Sequence, residues 1–219
     1  MLVDVDGTLV DSNYHHTLAW SRALRDHGED AHLAAIHRLV GMGSTQLLQQ
    51  LIPEADESVT DAVKKAWRAH FDSLLPEIRA VDGAERLLRT MHERDFVVVL
   101  ATSSPEDLLD ALMERVGARD AVDVVVTASD VEAAKPDPDL FEVALERAGV
   151  DAQRALALGD SVWDVEAARR AGVDTVAVET GGFSRFELEH AGASAVYRDA
   201  RALVDELAAS PLGRLRRAA

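Results

Sequence analysis

The chain of 219 residues contains no cysteine, which excludes disulfide bonds, a thiol nucleophile and a cysteine-ligated zinc site. It also has no apolar run long enough to cross a bilayer, so we do not expect a membrane partner. Cleavage of a leader peptide would remove the acidic residue at position 4, which begins the most informative motif of the chain. We therefore expect no signal peptide and a cytoplasmic protein.

Lysine is scarce, since Lys64, Lys65 and Lys135 are the only three. Acidic residues outnumber basic ones 39 to 23, and the formal net charge is -16. Nucleic acid is not an expected partner, because phosphate contacts require clusters of lysine and arginine. If the ligand is an anion, its positive counter-charge must come from a local residue, because the field of the whole protein repels it.

Two carboxylates stand close together near the N-terminus, in the run Asp4-Val5-Asp6-Gly7-Thr8. Neighbouring like charges raise each other's pKa, and a fold tolerates them mainly where a cation lies between them. The acid pair therefore predicts a metal site, and Gly7-Thr8 predicts a tight turn beside it.

Hydrophobic patterns divide the chain into a helical part and an alternating part. Residues 12–95 give helical patterns only, at about 12–28, 31–40, 44–52 and 57–75, with Ser12 and Ser44 as expected N-caps. Strands are predicted at 2–5, 96–101, 122–126, 155–158, 175–178 and 195–197, with helices between the later ones. The tail from Pro211, which includes Arg216 and Arg217, is expected to be frayed.

This alternation predicts the α/β class, with a Rossmann-like open parallel sheet covered by helices on both faces. An all-α segment replaces the first crossover, directly after strand 1. We place the core domain at residues 1–12 and 80–219 and the inserted helical domain at residues 13–79.

Polar motifs follow four of the predicted strands, and they are Asp4-x-Asp6, Thr102-Ser103-Ser104, Lys135-Pro136 and Gly159-Asp160-Ser161-Val162-Trp163-Asp164. In open parallel sheets ligands bind at the carboxyl ends of the strands, where the strand order reverses. The four motifs are therefore expected to meet at one edge of the sheet.

In this order the four motifs resemble those of the haloacid dehalogenase superfamily, and the helical insertion resembles its C1 cap. The most similar subgroup contains the phosphoglycolate phosphatases and β-phosphoglucomutases. One such motif alone would be a weak signal, but all four in order, each at a strand end, form a specific one.

The resemblance implies distinct roles for the acids and the lysine. Asp4 would be the nucleophile that forms an aspartyl-phosphate. Asp6 would act as general acid on the leaving oxygen and then as general base on the hydrolytic water. Lys135 would neutralise the charge of nucleophile and phosphate.

The remaining site residues would hold the metal and the phosphate. Asp160, Asp4 and the backbone carbonyl of Asp6 make an all-oxygen set that suits Mg²⁺ as cofactor. Asp164 would support the lysine or a metal-bound water. The phosphate is assigned to Thr102, Ser103 and Gly7, and Thr8 shapes the turn with Gly7.

The cap residues are open to two interpretations each. His16 is placed either near Asp6 at the hinge or simply on a helix, and core packing is favoured over substrate contact for Trp20. Trp163 could face the cap or pack internally. Gly41-Met42-Gly43-Ser44 resembles a substrate-selecting loop, or it is an ordinary turn.

The other histidines lack the spacing of metal ligands. Among them, His32 and His37 are interpreted as surface residues.

We expect a Mg²⁺-dependent phosphatase acting on a small phosphorylated metabolite, as a monomer or homodimer. A β-phosphoglucomutase-like activity is the alternative, but the cap loop has no arginine and Pro105 occupies a position where mutases carry lysine. Ser104 replaces the lysine typical of phosphoglycolate phosphatases, so the substrate is left open. A phosphonatase would need a Schiff-base lysine in the cap, and dehalogenases lack the acid at Asp6. A non-catalytic binding protein should have lost a catalytic acid, and none is missing.

Overall fold

The computed structural model describes residues 1–215. Its centre is a six-stranded, all-parallel sheet in the order β3-β2-β1-β4-β5-β6, which confirms the predicted fold class. The strands are β1 (Leu2–Val3), β2 (Val99–Ala101), β3 (Val124–Val126), β4 (Leu156–Gly159), β5 (Asp174–Val178) and β6 (Ala195–Tyr197). The strand order reverses at β1, so the carboxyl end of β1 is the expected ligand position.

Both faces of the sheet are covered by helices of the core. One face packs on α5 (Ala84–Glu93), α6 (Glu106–Val116) and α10 (Ala200–Asp205), and the other packs on α7 (Asp139–Ala148) and α8 (Val162–Arg170). Side chains alternate between the two faces, so that Val3 joins the first apolar cluster and Leu2 the second. The helix α9 (Arg185–Ala191) packs beside α8 and β6.

Four helices form the cap: α1 (Asn13–Asp26), α2 (Leu33–Leu39), α3 (Ser44–Leu51) and α4 (Glu57–Leu74). They enclose an apolar cluster of their own, which includes Trp20, Ile36, Leu47 and Val63. The two connections to the core lie side by side, because Val10 and Ala80 form an antiparallel bridge. The cap is therefore joined to the core by one narrow pair of chain segments next to the first motif.

Some predicted boundaries and caps were wrong. The strand β2 begins at Val99 rather than at residue 96, because its neighbour β1 pairs only from Leu2, which lies opposite Val99. Ser12 does precede α1, but its hydroxyl donates to Asp6 instead of capping the helix. Gly43 occupies the N-cap of α3, and Ser44 is its first residue.

The predicted fraying of the tail was also wrong where it can be checked. Pro211–Arg214 forms a short helix, α11, whose first turn is capped by Ser210 and whose Leu212 is buried. Arg216 and Arg217 lie outside the described residues. Within residues 1–215 no helix is both long enough and apolar enough to cross a bilayer.

Candidate active site

The four polar motifs meet at the carboxyl edge of the sheet around β1. Asp4 follows β1 directly, and its N–H donates to the carbonyl of Leu158 on β4 at 2.9 Å. This bond continues the parallel pairing one residue beyond the strand and fixes the backbone of Asp4 between β2 and β4.

Lys135 is the positive charge of the site. It lies on the loop between β3 and α7, it is buried, and its Nζ lies 2.6 Å from Asp4 Oδ1 and 2.7 Å from Asp164 Oδ1. The Nζ also donates to the carbonyl of Ala101 at 3.1 Å. Burial by itself lowers the pKa of Lys135, but attraction to Asp164 and Asp4 outweighs it and raises the pKa above its ordinary value. The side chain is therefore held as an ammonium.

Asp4, Asp160 and Asp164 form a buried acidic cluster in which one oxygen of each lies within 4.8 Å of the others. Burial raises the pKa of Asp4 to about 7; Lys135 opposes the rise, whereas Asp164 and Asp6 add to it. Burial and the charges of Asp164 and Asp4 raise the pKa of Asp160 well above its ordinary value. With all three carboxylates ionised beside one ammonium, two negative charges would be left uncompensated in a buried site, and a divalent cation would compensate them. An all-carboxylate donor set fits a hard cation such as Mg²⁺.

Asp160 is oriented by two side chains from the first motif and from α1. Thr8 Oγ1 donates to its Oδ1 at 2.8 Å, and Asn13 Nδ2 donates to its Oδ2 at 2.8 Å. Asn13 also donates to the carbonyl of Gly181 at 3.3 Å. Sequence reasoning missed Asn13 and Gly181. The Gly181-Gly182 pair follows β5, so a search of that strand end would have found it.

Two glycines allow the chain to approach Asp160. Gly7 has a left-handed φ of 75°, and a Cβ there would lie 2.4 Å from Asp160 Oδ2. A Cβ on Gly181 would lie 1.7 Å from the same oxygen. The N–H of Gly7 already donates to the carbonyl of Val10, so Gly7 acts on the site through its turn.

Asp6 has surroundings that differ from those of Asp4. Its Oδ1 accepts from Ser12 Oγ at 2.5 Å and lies 2.9 Å from His16 Nε2, and its Oδ2 accepts from Ser104 Oγ at 2.6 Å. Burial alone would raise the pKa of Asp6, but His16 and the two hydroxyls lower it to about 2. Environment therefore separates the two acids of the motif, and His16 lies beside Asp6 rather than on the surface of α1.

Thr102 and Ser103 lie just after β2 and line a pocket together with Asp4 and Asp6. Thr102 Oγ1 accepts from the N–H of Ser104 at 3.1 Å. Ser103 Oγ is buried and has no hydrogen-bond partner within the part of the chain that the structure describes. A buried hydroxyl without a partner is costly, and a ligand oxygen would satisfy it.

The cap closes the pocket over these groups. The cap side of the pocket is lined by His16, Trp20, Val40, Gly41, Met42, Ser44, Leu47 and Trp67. The rings of Trp20 and Trp67 stack with their centroids 5.0 Å apart, so Trp20 both packs in the cap and borders the pocket. The loop Gly41–Ser44 reaches the core, where the N–H of Gly43 donates to the carbonyl of Lys135 at 3.3 Å.

Two aromatic residues outside the pocket join the cap to the core. Trp163 donates its indole N–H to the carbonyl of Arg38 at 3.0 Å. His37 was predicted to be a surface residue, but it is buried; its Nε2 lies 2.9 Å from the carbonyl of Gly181 and its ring stacks on Tyr14. Burial lowers the pKa of His37, partly offset by that hydrogen bond. The prediction failed because the loop that covers His37 lies far away in sequence, whereas His32 is exposed as predicted.

Comparison with known proteins places these observations in a family. A family model described as haloacid dehalogenase-like hydrolase matches residues 1–178. A phosphoglycolate phosphatase from Rhodospirillum rubrum is 33% identical over 217 residues, covering 94% of this chain and 90% of that protein. A validoxylamine A 7'-phosphate phosphatase from Streptomyces hygroscopicus subsp. limoneus is 30% identical over 182 residues, covering 82% and 84%. The crystal structure of a hydrolase from Pseudomonas syringae superposes with a TM-score of 0.90 at 33% identity, covering 94% of this chain and 96% of that one.

Proposed function

We propose a function for this chain, which belongs to the haloacid dehalogenase-like hydrolase family and is a hydrolase of the phosphatase type. It hydrolyses a small phosphate monoester through an aspartyl-phosphate on Asp4, with Mg²⁺ as cofactor. The observation that supports this most is the buried acidic cluster of Asp4, Asp160 and Asp164, in which Lys135 pairs with Asp4 and Asp164 and in which Asp4 lines a pocket covered by the cap.

In the first step an oxygen of the Asp4 carboxylate attacks phosphorus, and the bond from phosphorus to the ester oxygen breaks. The leaving oxygen takes a proton from Asp6. With a pKa of about 2, Asp6 is ionised before substrate arrives. A dianionic phosphate next to Asp6 raises that pKa and favours uptake of the proton that Asp6 then donates.

In the second step water attacks the phosphorus of the aspartyl-phosphate. The ionised Asp6 takes the proton of that water, and the Asp4 carboxylate leaves together with the release of inorganic phosphate. One residue thus serves as acid and then as base, and the proton taken up in the second step replaces the one donated in the first.

The phosphate oxygens would be bound by Lys135, by the unpartnered hydroxyl of Ser103 and by Thr102. Lys135 already touches the nucleophile, so it lowers the repulsion between the Asp4 carboxylate and the incoming phosphate. Gly7 and Thr8 contribute by their turn and by the hydrogen bond from Thr8 to Asp160. His16 holds Asp6 in place through the 2.9 Å contact.

Asp4, Asp160 and the backbone carbonyl of Asp6 would hold Mg²⁺, which when bound stabilises negative charge on the phosphoryl oxygens. Asp164 is better suited to support Lys135 than to bind metal. Its Oδ1 faces the ammonium at 2.7 Å, and its Oδ2 accepts from Ser161 Oγ at 2.5 Å.

The test is hydrolysis of an aryl phosphate by the variant Asp4→Asn in the presence of Mg²⁺. We expect the rate to fall by about a thousandfold or more, because the nucleophile is lost. The control is Asp11→Asn, which removes an exposed acid from the same segment and should leave the rate unchanged. A wild-type rate in Asp4→Asn would overturn the role of Asp4. A rate that Mg²⁺ does not raise in the wild type would overturn the cofactor.

A further inference from the structure

We infer that the pocket selects phosphate esters whose leaving group is uncharged and presents an apolar face, and that it discriminates against esters carrying a second anionic group. This inference rests on the proposed phosphatase function and concerns the cap side of the same pocket. The observation that carries it is the composition of the pocket wall that faces the acids.

The cap side of the pocket is mostly apolar and aromatic. Two tryptophans, Trp20 and Trp67, line it together with Val40, Met42 and Leu47. Its polar groups are the hydroxyl of Ser44, the imidazole of His16, which already pairs with Asp6, and the indole N–H groups of the tryptophans, of which that of Trp67 has no partner among the described residues. A leaving group bound against this wall is removed from water mainly by hydrocarbon and ring surface.

No lysine or arginine lines the pocket among the described residues. Two cap cations have other partners. Arg38 pairs with Glu187 and lies over the ring of Phe183. Lys64 contacts Thr45 Oγ1 at 3.2 Å and Asp61 at 3.6 Å. Lys135 is buried behind the pocket lining and is paired with Asp4 and Asp164.

A carboxylate or second phosphate on the leaving group would therefore be desolvated against an apolar wall without a counter-charge. Asp4 and Asp6 on the floor of the pocket would repel it as well. Burying an unpaired charge is expensive, whereas an apolar face gains from the same contact. The same composition gives no support for the mutase alternative, which needs a basic group for the second phosphate of its bisphosphate.

The test compares kcat/KM for pairs of esters in which one member carries a carboxylate that the other lacks. The first pair is 2-hydroxyethyl phosphate and phosphoglycolate, and the second is phenyl phosphate and 4-carboxyphenyl phosphate. We expect kcat/KM for the ester with the uncharged leaving group to exceed that for its carboxylate-bearing partner by at least about tenfold, since the carboxylate would be buried without a counter-charge.

The outcomes separate the inference from the function on which it rests. Activity on the panel with phosphoglycolate equal to or better than 2-hydroxyethyl phosphate would overturn the inference and leave the phosphatase function intact. Absence of activity on every ester, with Mg²⁺ present and the protein folded, would overturn the proposed function and the inference with it.

A charge added to the wall sharpens the test. Ser44→Lys places an ammonium in the lining, and it should raise kcat/KM for phosphoglycolate relative to 2-hydroxyethyl phosphate by about threefold or more. Gln49→Lys adds the same charge to an exposed position of α3 and should leave that ratio unchanged. Equal ratios in both variants and the wild type would contradict the assignment of the wall as the selecting surface.

Discussion

The two ends of the pocket are built on different physical principles. At the core end, Asp4 lines the pocket and belongs to a buried cluster of charges with Asp160, Asp164 and Lys135, which is held by hydrogen bonds between 2.6 and 3.1 Å at the carboxyl edge of the sheet. At the cap end, stacked rings and aliphatic side chains present a surface with hardly any charge. The core end is suited to the chemistry of a phosphoryl group, and the cap end is suited to the choice of what that group is attached to.

The comparison shows how the work is divided between electrostatics and packing. The charged cluster tolerates little change, because each member sets the pKa of its neighbours. The cap is joined to the core by hydrogen bonds such as those from the Gly43 N–H to the Lys135 carbonyl and from the Trp163 indole to the Arg38 carbonyl. We therefore expect substitutions at the core end to have much larger effects than substitutions in the cap.

The largest effect is expected from Lys135→Met, which removes the only ammonium of the core end. The rate on an aryl phosphate should fall by about a thousandfold or more, because the nucleophile and the phosphate lose their shared counter-charge. Steady-state kinetics measures this. Lys65→Met removes an exposed lysine from the cap as the control. If Lys135→Met kept a rate within tenfold of the wild type, the electrostatic account of the core end would be wrong.

A smaller effect, on metal binding, is expected from Gly181→Ala. The added Cβ would overlap Asp160 Oδ2 and displace it, so Mg²⁺ affinity measured by calorimetry should drop by about 10- to 100-fold. Gly149→Ala is the control, because no atom lies within 4 Å of the new Cβ there, although its positive φ of 63° adds a backbone strain that Gly181→Ala does not have. Unchanged affinity in Gly181→Ala would show that the β5 loop does not belong to the core end.

Stability of the metal-free protein should depend on pH through Asp4. Its pKa of about 7 in the folded protein exceeds the ordinary 3.8, so folding favours the protonated form. That stabilisation is complete below pH 4 and is lost as the pH rises through 7. The contribution of Asp4 to the free energy of unfolding should therefore fall by about 1 kcal/mol between pH 6 and pH 8, as linkage requires.

Urea titrations of the protein in a chelator measure this dependence. Asp4→Asn removes this group and should remove its contribution to the profile over that range. Saturating Mg²⁺ should do the same in the wild type, because the metal competes with the proton. Parallel profiles for wild type and Asp4→Asn would show that Asp4 does not titrate there.

The sequence predicts the core end of the pocket better than it predicts the contacts that the cap helices make with it. The parallel sheet and the meeting of Asp4, Lys135 and Asp160 at one edge could be predicted. The carboxyl ends of parallel strands lie along the same edge of the sheet, whatever path the chain takes between the strands. The hydrogen bond from Asn13 to Asp160 could not, since it depends on how α1 leaves the first motif. The burial of His37 could not either, because the loop around Gly181 that covers it follows β5, 144 residues further along the chain.

His37 gives the smallest expected effect and the sharpest test of the comparison. It lies in the cap, yet it contacts the carbonyl of Gly181, which also accepts from Asn13 and so lies one step from Asp160. In His37→Phe the ring can still stack on Tyr14, and only the hydrogen bond is lost. One neutral hydrogen bond contributes about 1 kcal/mol, so kcat/KM on an aryl phosphate should fall by less than about tenfold.

His32→Phe, at an exposed position just before the same helix, should leave kcat/KM unchanged. A loss in His37→Phe as large as that in Lys135→Met would mean that the charged cluster depends on the cap for its geometry. The two ends of the pocket would then be one cooperative unit, and the separation of chemistry from selection would fail. A loss of a few fold confined to His37→Phe would instead show that the cap supports the cluster through this contact and leaves the chemistry to the core.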